Sequence, residues 1–347
     1  MRRLPIYFLI DVSESMVGEP VDQVQEGIAN IIKELKADPY ALETVWISII
    51  GFAGQSKVIT PLQDIITFYP PKIPIGSGTS LSAGLNELMR SIEKDIIKTT
   101  YERKGDWKPI IFLFTDGVPT DTCDGEIEKW NNEYKSKTNL VAISIGDNTN
   151  FNLLTRLSKN VLQFNNEGVN AYREFFKWVT ASIKATSEKI NHDSKEGINL
   201  TKINDEFLEE IDISKLYSLP DENFVVLNAK CSQTDKLYLV KFRKSTTFSG
   251  FEDLQTRVFK LEGAYRIDEK LYKELSTTKD YSLKVSSDEL YGTPTCPCCG
   301  NQVGLAYCVC GGIHCISGEG ESQCPWCGNV RFYGYGSDNF DINRTLG

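Results

Sequence analysis

Histidine is nearly missing from this 347-residue chain, which has only His192 and His314. Chemistry built on an imidazole acid, base or nucleophile therefore has little to work with. Positive charge is also short. The formal net charge of -9 argues against nucleic acid or an anionic membrane as the main partner and favours a cation or a basic protein surface. No stretch approaches the roughly 20 apolar residues that a membrane-spanning helix needs. Met1-Arg2-Arg3 and the apolar residues after it have the outline of a secretory leader. The apolar stretch stops at Asp11 without a small-residue cleavage site, so we expect a strand there, and a soluble cytoplasmic protein with no membrane partner. No internal repeat of fixed period is present.

What the chain does have is cysteine, ten in all, eight of them between Cys296 and Cys327. With no export signal, metal-bound thiolates in a reducing compartment are a better reading than disulfides. The spacing is Cys296-x2-Cys299-x8-Cys308-x-Cys310-x4-Cys315-x8-Cys324-x2-Cys327, with His314 beside Cys315. Cys296-Pro-Cys-Cys299-Gly and Cys324-Pro-Trp-Cys327-Gly share one knuckle pattern, and their four thiolates alone would complete a zinc ribbon. A second Zn2+ would draw on Cys308, Cys310 and one or both of His314 and Cys315. On a strand, adjacent His314 and Cys315 point to opposite faces and do not readily grip one ion together. A crossed arrangement fits the same spacing, so the zinc count stays at one or two. Cys298 reads as a spare thiol and His192 as a solvated helix-end residue. Closed thiolate sites are structural, contributing about 10 kcal/mol or more to a small domain.

A second ligand set is made only of oxygen. Asp11 ends the apolar run Leu4–Ile10, and Asp116 ends a second, Ile110–Phe114. Both runs read as buried parallel strands, and groups just beyond the carboxyl ends of such strands converge at a switch point of the sheet. Ser13 and Ser15 follow Asp11. Thr79 precedes Ser80, which can cap a helix through Leu81, Leu85, Leu88, Met89 and Ile92. Asp11, Ser13, Ser15, Thr79 and Asp116 suit one hard cation, Mg2+ or Mn2+, and leave a coordination position open for a partner's carboxylate or phosphate. Each segment alone also reads as ordinary turn chemistry.

Strand and helix alternate over the first 190 residues, predicting a doubly wound α/β fold with a mostly parallel sheet. Val21, Val24, Ile28, Ile31, Ile32 and Leu35 mark a helix after Pro20. Residues 44–52 and 57–60 read as an edge hairpin. A polar helix is expected over 126–135, a strand over 140–145, a short helix over 151–157, a strand over 161–164 and a closing helix over 172–190. Residues 191–205 read as a linker, 206–290 as a small β-rich domain with strands over 223–229, 236–242 and 256–261, and 291–347 as the cysteine-rich zinc module.

These features resemble known families. Asp11-x-Ser13-x-Ser15, a distant Thr79 and a distant Asp116-Gly117 match the metal-ion-dependent adhesion site of the von Willebrand factor A domain. That resemblance implies direct or water-mediated ligation by those five residues, with Glu14 adding a charge at the rim that modulates partner choice. Together with Ala41-Leu-Glu-Thr44, Lys104-Gly-Asp-Trp-Lys-Pro109, Thr115-Asp-Gly-Val-Pro-Thr-Asp121 and the terminal cysteines, the whole resembles the TerY family of bacterial tellurite-resistance systems. The resemblance implies a cytoplasmic adaptor working with a Ser/Thr kinase and an Mg2+- or Mn2+-requiring protein phosphatase. The partner would present an acidic or phosphorylated ligand. Lys244-Ser-Thr-Thr247 and Ser276-Thr-Thr-Lys279 are hydroxyl clusters compatible with phosphorylation of the chain itself.

Two other readings compete. A metal-dependent phosphohydrolase or phosphotransferase would use Asp11 and Asp116, but no histidine, cysteine or lysine lies within the cation motifs to act as nucleophile or base. A scaffold that has lost the cation would leave binding to the zinc module, against which the intact ligand residues argue.

Overall fold

A computed structural model describes residues 2–116, 119–145, 151–164, 171–192, 208–210, 224–245, 258–276, 283–334 and 339–345. The chain divides into two compact units. The first comprises Met1–Val12, Glu19–Ile73 and Thr79–Pro220; the second joins Asp221–Gly347 to two short segments from earlier in the chain, Ser13–Gly18 and Pro74–Gly78.

In the first unit, strands β1 (Leu4–Asp11), β2 (Val45–Phe52), β3 (Ser56–Asp64), β4 (Ile110–Thr115), β5 (Asn139–Ile145), β6 (Asn160–Phe164) and β7 (Leu208–Glu210) form one sheet in the order β3-β2-β1-β4-β5-β6-β7. The five central strands run parallel. β3 and β7 close the edges antiparallel. All eight residues of β1 and all six of β4 are buried, as strands covered on both faces must be.

Helices cover both faces. On one lie α3 (Leu81–Asp95), α4 (Asp124–Lys129) with its π-turn extension Trp130–Tyr134, and α5 (Phe151–Leu157). Leu81, Leu85, Leu88, Ile127, Trp130 and Leu154 meet Tyr7, Leu9, Phe52, Leu113 and Ala142 of the sheet. Ser80 caps α3 by accepting from the Ala83 N–H at 3.1 Å, as expected. The opposite face carries Phe8, Phe112 and Phe114. Phe114 packs on Phe176 of α6 (Ala171–His192), whose ring also lies against α1 (Glu19–Lys36) at Gly27. A Cβ on Gly27 would sit 2.0 Å from that ring, so only glycine allows the approach.

The doubly wound α/β architecture and its edge hairpin follow the expectation. One short helix, α2 (Pro39–Thr44), escaped it: Asp38 caps it through the Ala41 N–H at 2.9 Å and Pro39 opens it, within a stretch whose strand signal starts at Thr44. β7, three residues long, joins the edge of this sheet from a region expected to belong to a later domain. The tail of α6 takes in 191–192; the rest of the expected linker to residue 205, and Thr246, Thr247, Thr277, Thr278 and Lys279 of the hydroxyl clusters, lie outside the described residues.

In the second unit, β8 (Phe224–Lys230), β9 (Leu237–Lys244), β10 (Phe259–Arg266), β12 (Leu290–Tyr291), β13 (Val303–Tyr307) and β14 (Ile313–Ile316) make a sheet in the order β12-β10-β9-β8-β14-β13. Strands of the β-rich stretch and of the cysteine-rich stretch thus share one sheet. Helix α7 (Glu269–Leu275), capped by Asp268 accepting from the Lys270 and Leu271 N–H groups, interrupts the expected β texture. Two small ribbons complete the unit: β11 (Lys284–Ser286) with β17 (Asp341–Asn343), and β15 (Gly320–Gln323) with β16 (Val330–Tyr333).

Candidate metal centres

Asp11 ends β1 and Asp116 follows β4, at the carboxyl edge of the parallel sheet. Pairing of β1 with β4 sets Ile10 beside Phe114, so Asp11 and the Thr115-Asp116 pair leave the sheet as neighbours. Asp11 is fully buried and accepts a hydrogen bond from the Thr115 hydroxyl at 2.8 Å. Thr115 is a contributor that the motif reading passed over, since Thr-Asp-Gly reads as a turn. Thr79 is tied to the loop beyond β4: its N–H donates to Thr120 Oγ1 at 3.1 Å, and the Thr120 N–H donates to its carbonyl at 2.7 Å. The next N–H, of Ser80, donates to Ala53 just past β2, at 2.6 Å. Asp11 and Thr79 are thus tied to the ends of β1, β2 and β4, and Asp116 directly follows β4.

Ser13 and Ser15 follow Asp11 on a single 3-10 turn, Glu14–Met16. Both are buried, and their hydroxyl oxygens lie 2.9 Å apart. Hydroxyl and carboxylate oxygens, with no nitrogen or sulfur, are the ligand chemistry of a hard divalent cation. Glu14 departs from the expectation of a charge at the rim. It is fully buried, accepting from the Tyr272 hydroxyl and, at 3.1 Å, from Ser77 Oγ. The turn directs it inward, where two donors satisfy its carboxylate.

The thiols form two groups, each with its sulfurs within 4.8 Å of one another: Cys231, Cys296, Cys299 and Cys315; and Cys308, Cys310, Cys324 and Cys327. The arrangement is crossed, with the two Cys-x2-Cys knuckles in different groups. Cys231 was invisible to spacing because it lies far upstream in the β8–β9 turn. Its turn nonetheless repeats the knuckle fold. The Cys231 N–H donates to Lys236 O at 2.9 Å and the Asp235 N–H to Cys231 O at 3.0 Å. Cys296 does the same with Asn301 and Gly300, and Cys324 with Asn329 and Gly328. Each turn has a positive φ at its fifth residue: 81° at Gly300, 75° at Gly328 and 56° at Asp235, a residue type that tolerates this region.

Cys315 reaches the first group because β14 runs parallel to β8, with His314 opposite Lys230, so that Cys315 continues toward Cys231. His314, predicted as a ligand candidate, belongs to neither group. Strand alternation turns it to the other face, where Nδ1 meets Cys315 O at 3.1 Å and the ring stands edge-on to Tyr333, centroids 4.9 Å apart. Its buried Nε2 has no hydrogen-bond partner among the described residues. Cys298 also stands outside both groups.

Each group contains one acidic thiol, Cys231 in the first and Cys308 in the second. Burial raises Cys231, but hydrogen bonds from Thr234 and Gln233 outweigh it and bring the thiol to about 7. Burial likewise raises Cys308, but the Cys310 N–H together with hydrogen bonds from Tyr333, Cys310 and Cys324 outweighs it, leaving the thiol at about 6. Burial pushes Cys324 up to about 12 and raises Cys296 and Cys299. Four clustered sulfurs cannot all ionise without a cation between them, a ligand set that fits Zn2+.

The von Willebrand factor type A domain matches residues 6–178, and the TerY-C metal binding domain matches residues 221–347. Among solved structures, proximal thread matrix protein 1 from the mussel byssus is similar at 15% identity and TM-score 0.36, over 54% of this chain and 46% of that one. A second structure of it, with a zinc-occupied adhesion motif, gives 16% and 0.37 over the same shares. A von Willebrand factor type A protein from Catenulispora acidiphila gives 12% and 0.39, over 53% and 43%. The chain spans about half the length of these proteins, or less.

Proposed function

This chain belongs to the TerY family, joining a von Willebrand factor type A domain to a TerY-C metal binding domain, and on that premise we propose that it is a noncatalytic, cation-dependent adaptor between proteins. Asp11, Ser13, Ser15, Thr79 and Asp116 hold one Mg2+ or Mn2+, whose open position takes an acidic or phosphorylated side chain of the partner. The observation that carries this reading is the buried Ser13–Ser15 hydroxyl pair, following an Asp11 already oriented by Thr115. Because the other three side chains, those of Ser13, Ser15 and Thr79, are uncharged hydroxyls, the set carries no excess negative charge, and the open position of the cation can take an anionic ligand.

Family resemblance supports a Ser/Thr kinase and a metal-dependent phosphatase as the partners, with a cytoplasmic setting and phosphorylation of the chain itself as parts of the same reading. The two thiolate groups hold Zn2+ and are structural, since four sulfurs leave no position for water. No helix among the described residues is long and apolar enough to cross a membrane.

Affinity capture with the full chain as bait, in Mg2+ and in a chelator mild enough to spare zinc, tests the reading. We expect retention of partners only with Mg2+. If Asp11→Ala or Asp116→Ala leaves both cation uptake and partner retention intact, the mechanism is wrong.

A further inference from the structure

The Ser13–Gly18 turn that carries two of the cation-ligand serines belongs to the same compact unit as Asp221–Gly347, and that unit grips it through buried polar groups. Lys241, in the middle of β9, is 1% exposed. Its ammonium donates to the backbone carbonyls of Ser15 at 2.6 Å and Val17 at 3.3 Å, and lies 3.3 Å from a Glu262 carboxylate oxygen. A buried ammonium is costly unless paired and hydrogen-bonded, so this geometry is a requirement rather than a passing contact. The carbonyls belong to the end of the 3-10 turn, where unsatisfied acceptors favour a positive charge.

Independent contacts hold the same turn. The Tyr272 hydroxyl donates to Glu14 and lies 3.1 Å from Asn228 Oδ1. Ser77 Oγ donates to the other Glu14 oxygen at 3.1 Å, while the Ser77 N–H donates to Ser276 Oγ at 3.0 Å. Gly18, at φ 90°, lets the Tyr265 ring approach to 2.7 Å from where a Cβ would stand. Strand alternation explains the division of labour. Tyr238, Val240 and Phe242 of β9 face the core that includes Cys315 and Cys296, which leaves Lys241 on the opposite face, toward the turn.

We propose that Lys241 and Tyr272 are positioning residues for the cation site: they set the backbone of Ser13–Gly18 so that the Ser13 and Ser15 hydroxyls face one ion. Residues of the second unit thereby position the two serines that the same unit contains. This rests on the cation reading above. It goes beyond that reading because neither residue is a ligand, and because it assigns the preorganisation of the site to a module otherwise devoted to thiolates.

The test uses the full chain and Mn2+ as probe, with uptake read by the electron paramagnetic resonance of free Mn2+ and amide hydrogen exchange followed over residues 13–18 in the cation-free protein. Lys241→Met keeps the stem and removes the charge; Tyr272→Phe removes one hydroxyl. Lys260→Met, at an exposed position of β10, is the control. We expect Mn2+ affinity to fall about tenfold in Lys241→Met and several-fold in Tyr272→Phe. Exchange over 13–18 should be faster in both, zinc content unchanged, and the control should match wild type. Should Lys241→Met fail to fold, Tyr272→Phe decides. Wild-type affinity and wild-type exchange in the folded variants would overturn the positioning role alone. A wild-type protein that takes up no Mn2+ would overturn the cation reading and this inference with it.

Discussion

The sulfurs of Cys231 and Cys315 lie 4.0 Å apart, although the two residues are 84 positions apart in the sequence, and the Ser232 N–H also points at Cys315. The parallel register of β8 and β14 brings them together, and they complete a thiolate group that no sequence spacing announces.

Zinc counting tests that grouping. Full-length protein should carry two Zn2+, one per group. Cys231→Ser should carry one, with a stability loss of several kcal/mol, because part of the metal's binding energy is folding energy. Cys298→Ser should keep both. His314→Leu should also keep both and change stability by less than about 1 kcal/mol, since it removes a buried Nε2 that has no partner among the described residues. Loss of zinc from His314→Leu, measured by plasma emission spectrometry, would overturn the assignment.

Zinc affinity should rise with pH. Cys324 at about 12, and Cys296 and Cys299, raised by burial, hold protons at neutral pH that the ion must displace. Cys308 at about 6 and Cys231 at about 7 are already largely ionised above those values. Lowering the pH from about 8 to about 6 should therefore weaken zinc steeply and release it to a competing chelator. An affinity that is flat across that window would contradict these thiol assignments.

At the oxygen site, Thr115→Val should weaken Mn2+ uptake by about 10- to 100-fold, the usual scale for losing a group that orients a ligand. Asp11→Ala should abolish it. The two variants separate ligation from orientation: a Thr115→Val protein as inert as Asp11→Ala would make Thr115 itself a ligand.

Gly27→Ala measures how closely α1 and α6 approach. Alanine gains about 1 kcal/mol of helix propensity over glycine. Its Cβ would fall 2.0 Å from the Phe176 ring, and overpacking of that kind costs about 1–3 kcal/mol. The clash should win, lowering the melting temperature, whereas Gly125→Ala, where a Cβ meets nothing within 4 Å, should not. A rise in melting temperature for Gly27→Ala would show that the helices have room to part.

The order of strands and helices in the first unit, the capping of α3 by Ser80 and the placement of Asp11 and Asp116 at strand ends were all legible in the sequence. Each depends on local signals, a run of apolar residues or a capping hydroxyl, that act within a few residues. Two Cys-x2-Cys knuckles were legible for the same reason. Which knuckle shares an ion with which was not. Neither were the recruitment of Cys231, the inward burial of Glu14 nor the role of Lys241, because each is decided by residues distant in sequence. Spacing reports how near two ligands lie along the chain, and only the pairing of β8 with β14 reports how near they lie in space. Likewise, Glu14 reads from the sequence as a charge at the rim and Lys241 only as part of the strand over 236–242; burial demands that each find partners, and the tertiary fold alone supplies them.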